Sequence, residues 1–564
     1  MPTIDVELGE LEKLLNVSFN CNMEKLDDIL TLVKGEVKVF DQQEGVVNIE
    51  IKDTNRPDLW SVEGLARALR GYLNPAEDFK EYIVKGPLID VSVDSRLNSI
   101  RPFMGVAIVE NLKLSDAIIR GLMHLQDKLD QTYGRNRQKT SIGLYDYDLM
   151  NPPLHYTVAN PDKTKFAPLG FEETMNLEEI LERHPKGIEY GKIVKNHSLY
   201  PLILDSKGKI LSFPPIINSN DLGRVTAETR NVLVEVTGTA HEAVHNALKL
   251  VTLALADRGG KVSSGTIKYA FDGSQVVTPD FRSSLMELSV EYANRILGLQ
   301  LTSRQMGKLL RRAGFGVEET SSDTIMVSVP CYRVDVMHQV DLIEDVAIAY
   351  GYDRIEPVWR ELPTTGSMSA EQHLIDVARE FMVGLSFQEI LTYNLTSSEN
   401  LFDNMNIEKS TIVEVANPKV AAMTCLRNSL LPSLMEFLGN NTSIEFPQRI
   451  FELGKVTALD GTKETKTRDE NWLAAVTAHV SACFTEIKSV LDSFLMNFGV
   501  DWQIKETFHS SFIEGRIGKV LVNGEEAGII GEIHPLVLER WKLENPAAAF
   551  EINLDKIIRV KQSK

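Results

Sequence analysis

Apolar residues recur along this chain at two spacings, every second position and every third or fourth, and stretches of the two kinds follow one another from end to end. The first spacing predicts strands and the second helices. TIDVEL alternates, MEKLDDILTLV (23–33) has helical spacing, and GEVKVF and GVVNIEIKD alternate again. Asn55, Arg56 and Pro57 then predict a turn, followed by a helix marked by Val62, Leu65, Leu69 and Tyr72 that ends near Gly71. RPFMGVAIVENL, KTSIGLYDY, ILSFPPIIN (210–218) and NVLVEVTGT (231–239) read as strands. SDAIIRGLMHLQDKLDQTYG and HEAVHNALKLVTLALADRG read as long helices, the second stopped at Gly259 and Gly260. SSLMELSVEYANRILGLQL and TSRQMGKLLRRAGF read as two further helices, and TIMVSV as a short strand ended by Pro330.

These elements divide the chain into modules. A mixed module is expected at 1–94, a larger α/β domain at 95–268, a compact helical module at 269–357, a Pro/Gly/Ser/Thr linker at 358–370, and an antiparallel sheet with packed helices at 371–564. The expected class is multidomain α+β. In the last module Asn523-Gly524 lies between two apolar runs and predicts a type I′ hairpin, while GTKETKTRDEN (461–471) predicts an exposed loop. No solenoid repeat is visible.

At 564 residues the chain is too long for a single core. Lys plus Arg number 60 and Asp plus Glu 79, a net charge of −19, which excludes nonspecific coating of nucleic acid but not a local basic patch. No apolar run reaches the roughly 18 residues of a bilayer span. MPTIDVELGELEK lacks the basic start and apolar run of a signal peptide. Cys21, Cys331, Cys425 and Cys483 are scattered without a CxxC pair. A cytoplasmic protein with reduced cysteines and no membrane partner is expected.

Candidate chemistry concentrates in YRVDVMHQVDLIEDVAIAYGYDRIEP (332–357). On a helix Asp341, Glu344 and Asp345 fall at i, i+3 and i+4, on one face, beside a stripe of Val340, Ile343, Val346, Ala347 and Tyr350. With Asp335 they offer oxygen ligands of the kind magnesium takes. On spacing alone, an acidic first turn favoured by the helix dipole and simply solvated is the plainer reading. His241-Glu242-Ala243-Val244-His245 spells HExxH, the motif of a zinc peptidase, but no further ligand signature follows, and the rest of its helix reads as core. Arg304, Lys308, Arg311 and Arg312 make one helix face basic, suited to RNA phosphates or simply to water. There is no phosphate-cradling GxxxxGK[ST], no full GxGxxG and no complete catalytic set.

Several of these stretches are familiar. Pro330, Arg333, Asp335, DLIEDVAIAYGYD and Ile355–Pro357 resemble the B5 domain of the phenylalanyl-tRNA synthetase β-subunit family. TNRPDLWSVEGLAR (54–67) resembles that family's N-terminal element. SIGLYD, FPPIIN and VEVTGT resemble its B3/B4 editing domain, and ANPKVAAMTCLRNSLLPSLMEFLGNN and FELGKV (416–456) its C-terminal third. The length is similar to that of the archaeal/eukaryotic type. The resemblance implies a B1-like module, a B3/B4-like domain, a winged-helix-like B5 domain and a degenerate, inactive class II synthetase core of B6/B7 type. It implies an (αβ)₂ heterotetramer in which the α subunit activates phenylalanine with ATP and charges tRNA(Phe). This chain would scaffold, contact tRNA and hydrolyse Tyr-tRNA(Phe). Arg427 lies in LRNSLLP and not in an Arg-x-Glu motif, which agrees with a lost aminoacylation site. Carried over position by position, the resemblance assigns Mg²⁺ to Asp335, Asp341, Glu344 and Asp345. It assigns recognition of the tyrosine hydroxyl to Glu235, with Thr237, Ser212 and Asn218 lining the pocket. The rival reading is a free-standing tRNA-binding or regulatory protein that reuses such domains.

Overall fold

The computed structural model describes residues 2–74, 79–319, 321–359 and 364–563, so part of the expected 358–370 linker lies outside the described residues. The chain separates into two compact units, 1–359 and 360–564.

The first unit is built on three larger sheets, beside a two-stranded ribbon of Lys165–Phe166 and Met175–Asn176. Thr3–Glu7, Val46–Ile51 and Gly35–Asp41 form a small antiparallel sheet. Val6, Val47, Ile49 and Ile51 point inward and pack on Leu65 and Leu69 of the helix Val62–Leu73. That helix starts where Ser61 accepts a hydrogen bond from the Gly64 N–H, and it runs to Leu73, two residues beyond the predicted stop. A helix at Leu8–Leu15 has no counterpart in the sequence reading.

The second sheet has ten strands. Its path runs Ile217–Asn218, Ile210–Phe213, Tyr200–Leu204, Leu154–Ala159, Val84–Val93, Lys261–Tyr269, Phe103–Glu110, Val232–Gly238 and Thr140–Asp146, with Gln275–Thr278 paired to Lys261–Tyr269 off that path. Val232–Gly238 is buried at every position, which explains its unbroken apolar run. Even positions Val232, Val234 and Val236 face the core under the helices Asp116–Gln131 and His241–Asp257, while Leu233 faces the opposite core. Glu235 shares the parity of Leu233. The sheet coils so far that its two ends meet: Asn218 at one end reaches Tyr145 at the other, 3.3 Å away.

The third sheet, Ser284–Ser289, Thr324–Val329 and Gly316–Glu319, packs on Val290–Leu297, Ser303–Arg312 and Gln339–Tyr350. Ser284–Ser289 corrects the reading of SSLMELSV as helix. Leu288 is buried at its end while Leu285 stays exposed, and the stretch pairs along its whole length with Thr324–Val329.

The second unit holds a seven-stranded sheet, antiparallel except for the short edge strand Gln388–Glu389. Leu473 and Ala475 face the helices Ala370–Gly384, Phe484–Phe498 and Leu554–Ser563, while Ala474 and Val476 face Leu431–Asn440. The predicted 461–471 loop is only half a loop, because Thr467–Ala478 is a strand paired with Gln448–Leu459. Asn523 and Gly524 both have positive φ (48° and 85°), the geometry a type I′ turn requires.

Candidate functional site

The space between the two ends of the coiled sheet is a pocket of about 110 Å³. Its walls are Ile119, Leu122 and Met123 of the Asp116–Gln131 helix, Ile142 and Leu144 of the edge strand, and Phe213 and Ile216 of the opposite hairpin. An apolar cavity of roughly 150 Å³ takes up benzene, so this one is on the scale of a six-membered ring. Polar groups in its lining include Glu235, Tyr145, Ser212 and Asn218. Glu235 is 3% exposed. Its Oε2 accepts from the Tyr145 hydroxyl at 2.8 Å, while its Oε1 and the Ser212 Oγ have no hydrogen-bond partner among the described residues. Burial pushes the Glu235 carboxyl up to about 7, against the bond from Tyr145 and the charge of Arg101. Buried oxygens without partners are costly unless something polar arrives to meet them.

Behind the pocket lies Arg101, 2% exposed. It donates to the Thr237 hydroxyl (3.1 Å), the Thr237 carbonyl (2.7 Å), the Ser141 hydroxyl (3.1 Å) and the Arg137 carbonyl (3.0 Å). Arg137 pairs with Asp130 at 3.0 Å and donates to the carbonyls of Pro215 and Ile216, which fastens the helix to the far wall. Of the four residues expected in this pocket, Glu235, Ser212 and Asn218 line it together. Thr237 is fully buried and engaged by Arg101 and Ser141 behind the wall.

The four carboxylates of 335–345 are arranged differently. Arg333, Asp335 and Asp345 are all at most about a tenth exposed. Arg333 bonds Asp335 at 2.8 Å and Asp345 at 2.7 Å, and Arg56 stands 3.6 Å from Asp335. Burial opposes ionisation of Asp335, yet Arg333 holds it below its usual range; burial wins at Asp345 and pushes it up. Glu344 turns outward to Lys34 of the N-terminal module at 2.6 Å. Asp341 accepts the N–H groups of Met337 and His338 in a capping box at the helix start. Guanidinium and ammonium groups thus occupy the cation positions, and among the described residues no cluster of three or more acidic, His or Cys side chains is arranged to hold a metal. The set does not fit a magnesium ion held directly by all four.

The similarities of the whole chain decide its family. Residues 286–352 match the tRNA synthetase B5 domain, and 355–554 the phenylalanyl tRNA synthetase beta chain CLM domain. The chain is 45% identical, over 99% of its length and 100% of the relative's, to the phenylalanine–tRNA ligase beta subunit of Pyrococcus furiosus. It is 41% identical to that of Methanocorpusculum labreanum over 89% and 90%. A crystal structure of an N-terminal fragment of the Pyrococcus horikoshii phenylalanyl-tRNA synthetase beta subunit superposes with a TM-score of 0.60 at 41% identity, covering 62% of this chain and 100% of the fragment. The chain belongs to the phenylalanine–tRNA ligase beta-subunit family.

Two other sequence signals, the HExxH motif and the basic helix, part ways here: the first is ordinary packing, while the second stays largely exposed. The HExxH histidines lie against each other with ring centroids 4.1 Å apart and planes tilted by 37°, and His241 meets Phe103 edge to face. Burial pulls His245 down to about 4, and no third ligand joins them among the described residues. On the basic helix Arg304, Lys308 and Arg311 are exposed, but Arg312 turns inward to the Ala349 carbonyl and the Tyr72 ring. Tyr145 and Arg137 in the pocket lining, and Arg101 behind it, are residues that sequence reasoning missed. The signal was present: a polar or ionisable group inside or beside an otherwise apolar strand must find a buried partner. Among the described residues no helix is long and apolar enough to cross a membrane.

Proposed function

We propose that this chain is the β partner of a cytoplasmic phenylalanine–tRNA ligase, joined to an α subunit in an (αβ)₂ assembly that charges tRNA(Phe) at the expense of ATP. The α subunit carries that chemistry. This chain supplies the scaffold, a class II-like core without aminoacylation activity at 371–564, and a hydrolytic pocket in 95–268 that clears Tyr-tRNA(Phe). The observation that carries the editing part is the Oε1 of Glu235: buried, unpartnered, and at the end of a ring-sized apolar pocket. A tyrosyl hydroxyl meets that oxygen, whereas a phenylalanyl ring leaves it unpaired. Sites built this way discriminate by about 10⁴–10⁵. Hydrolysis then needs only an ordered water near the ester and no side-chain nucleophile; Ser212 and Asn218 line the pocket with Glu235 and Tyr145. Exposed Arg304, Lys308 and Arg311 are the proposed RNA contacts on the helical module.

Magnesium is kept for the assembled enzyme alone and is given no step, because Arg333 and Lys34 already neutralise three of the four carboxylates here. Metal analysis should find magnesium in the αβ complex and none in the lone chain.

The test is reconstitution. The chain should copurify with the α subunit, aminoacylate only in its presence, and hydrolyse Tyr-tRNA(Phe). Glu235→Ala should slow that hydrolysis by roughly 100-fold, the worth of a hydrogen bond to a charged group. Unchanged hydrolysis removes Glu235 from the site. RNA binding without any α-subunit association favours a free-standing binding protein instead.

A further inference from the structure

We infer that Tyr145 is a positioning residue of this pocket: its hydroxyl takes one oxygen of Glu235 and thereby leaves the other aimed at the place where a ligand's phenolic hydroxyl would sit. The inference rests on the proposed editing of a tyrosyl ester and adds the group that sets its selectivity.

The geometry is specific. Tyr145 has one proton to donate and two acceptors in reach, Glu235 Oε2 at 2.8 Å and Asn218 Oδ1 at 3.3 Å. The shorter, charge-assisted bond takes the proton. The carboxylate is then fixed by one oxygen, and its second oxygen, on a residue that lines the pocket, stays without a hydrogen-bond partner among the described residues. Gly143, which faces Glu235 across the strand pair, makes room for this arrangement. A Cβ there would stand 2.3 Å from the Tyr145 hydroxyl and 2.7 Å from Glu235 Oε2. The local backbone therefore accommodates the Tyr145–Glu235 contact and would not accommodate it with any larger residue at 143.

The charge state of Glu235 depends on the same bond. The groups facing it are Tyr145 from the edge strand, Arg101 from the turn before Phe103–Glu110, Asp130 from the Asp116–Gln131 helix, Tyr156 from Leu154–Ala159, and the Thr237 hydroxyl two residues along its own strand, which also favours the charged form. Burial raises its pKa most, and the Tyr145 bond lowers it most. Without the Tyr145 hydroxyl, Glu235 keeps its proton to higher pH.

The test uses the complex with the α subunit and compares wild type, Tyr145→Phe and Glu235→Gln. For Tyr145→Phe the preference for tyrosyl over phenylalanyl ester in kcat/KM should fall roughly 10-fold. The acid limb of its pH profile, which reports Glu235, should move to higher pH. An unchanged preference together with an unchanged limb overturns the inference, since a merely structural tyrosine would move neither. A binding arm needs no turnover: p-cresol should bind wild type more tightly than Tyr145→Phe, and toluene should bind both alike. If p-cresol binds with this dependence while no tyrosyl ester is hydrolysed, the editing reading fails and the positioning role stands. If p-cresol binds both proteins equally, or neither, the positioning role falls.

Discussion

Glu235 shows what a single residue can and cannot reveal in advance. A carboxylate inside VLVEVTG interrupts the apolar run of a buried strand and so calls for a buried partner, but it was the family resemblance that singled Glu235 out. Its neighbours are harder to see. Tyr145 sits 90 positions away and Arg101 even further, and only the strand pairing brings them to the same carboxylate. The burial of Glu235 has a consequence for stability. With its carboxyl at about 7 in the folded chain and an unfolded value of roughly 4.3, the folded state holds a proton that the unfolded state has released between those two pH values. Its stabilising contribution is therefore full below about pH 4.3 and is lost as pH climbs through 7, a change of roughly 4 kcal/mol. Hydrogen exchange of the Val232–Gly238 amides should accordingly show less protection at pH 8 than at pH 5, after correction for intrinsic rates. Glu235→Gln, neutral throughout, should flatten that dependence; an unchanged slope would assign the titration to another group.

At the scale of the element, period and punctuation carried most of the fold. The helices Asp116–Gln131, His241–Asp257 and Gln339–Tyr350 and the Asn523-Gly524 hairpin stand where the pattern put them. The misread strand Ser284–Ser289 was ambiguous for a physical reason. It leads directly into the helix Val290–Leu297, so helical spacing in the second half spills back over a six-residue strand whose real determinant is its partner at Thr324–Val329. Close approaches between elements are not legible at all. Gly64 is the sharpest case, because a Cβ on it would lie 1.7 Å from the Asp58 carbonyl oxygen, where the turn Pro57–Leu59 folds back on the Val62–Leu73 helix. Gly64→Ala must push turn and helix apart, although alanine is the better helix former. A loss of about 3 kcal/mol is expected, the upper end of overpacking costs, read as a lowered melting temperature of the whole chain. A stabilised variant would mean that the turn is free to move.

Across the first unit as a whole, the acidic set at 335–345 acts as a joint and not as an isolated helix face. Lys34 reaches Glu344, and Arg56 reaches Asp335, so the N-terminal module is tied to the helical module by two cations of its own, while Arg333 binds Asp335 and Asp345 from within. The sequence disclosed the four carboxylates and their common spacing but not their counter-ions, which lie some 300 positions upstream in two cases. A chain of net charge −19 needs its internal anions matched wherever they leave water. Matching by arginine and lysine makes a specific prediction against matching by metal. In the lone chain, replacing magnesium with a chelator should leave the melting temperature unchanged. Arg333→Met, which takes the guanidinium from over the Phe315 ring and strands two buried carboxylates, should cost roughly 3–5 kcal/mol. Added magnesium should not restore it if the site has no room for a hydrated ion once the guanidinium is gone. Full rescue by magnesium would show the opposite, that these oxygens form a latent metal site which Arg333 closes until the partner subunit opens it.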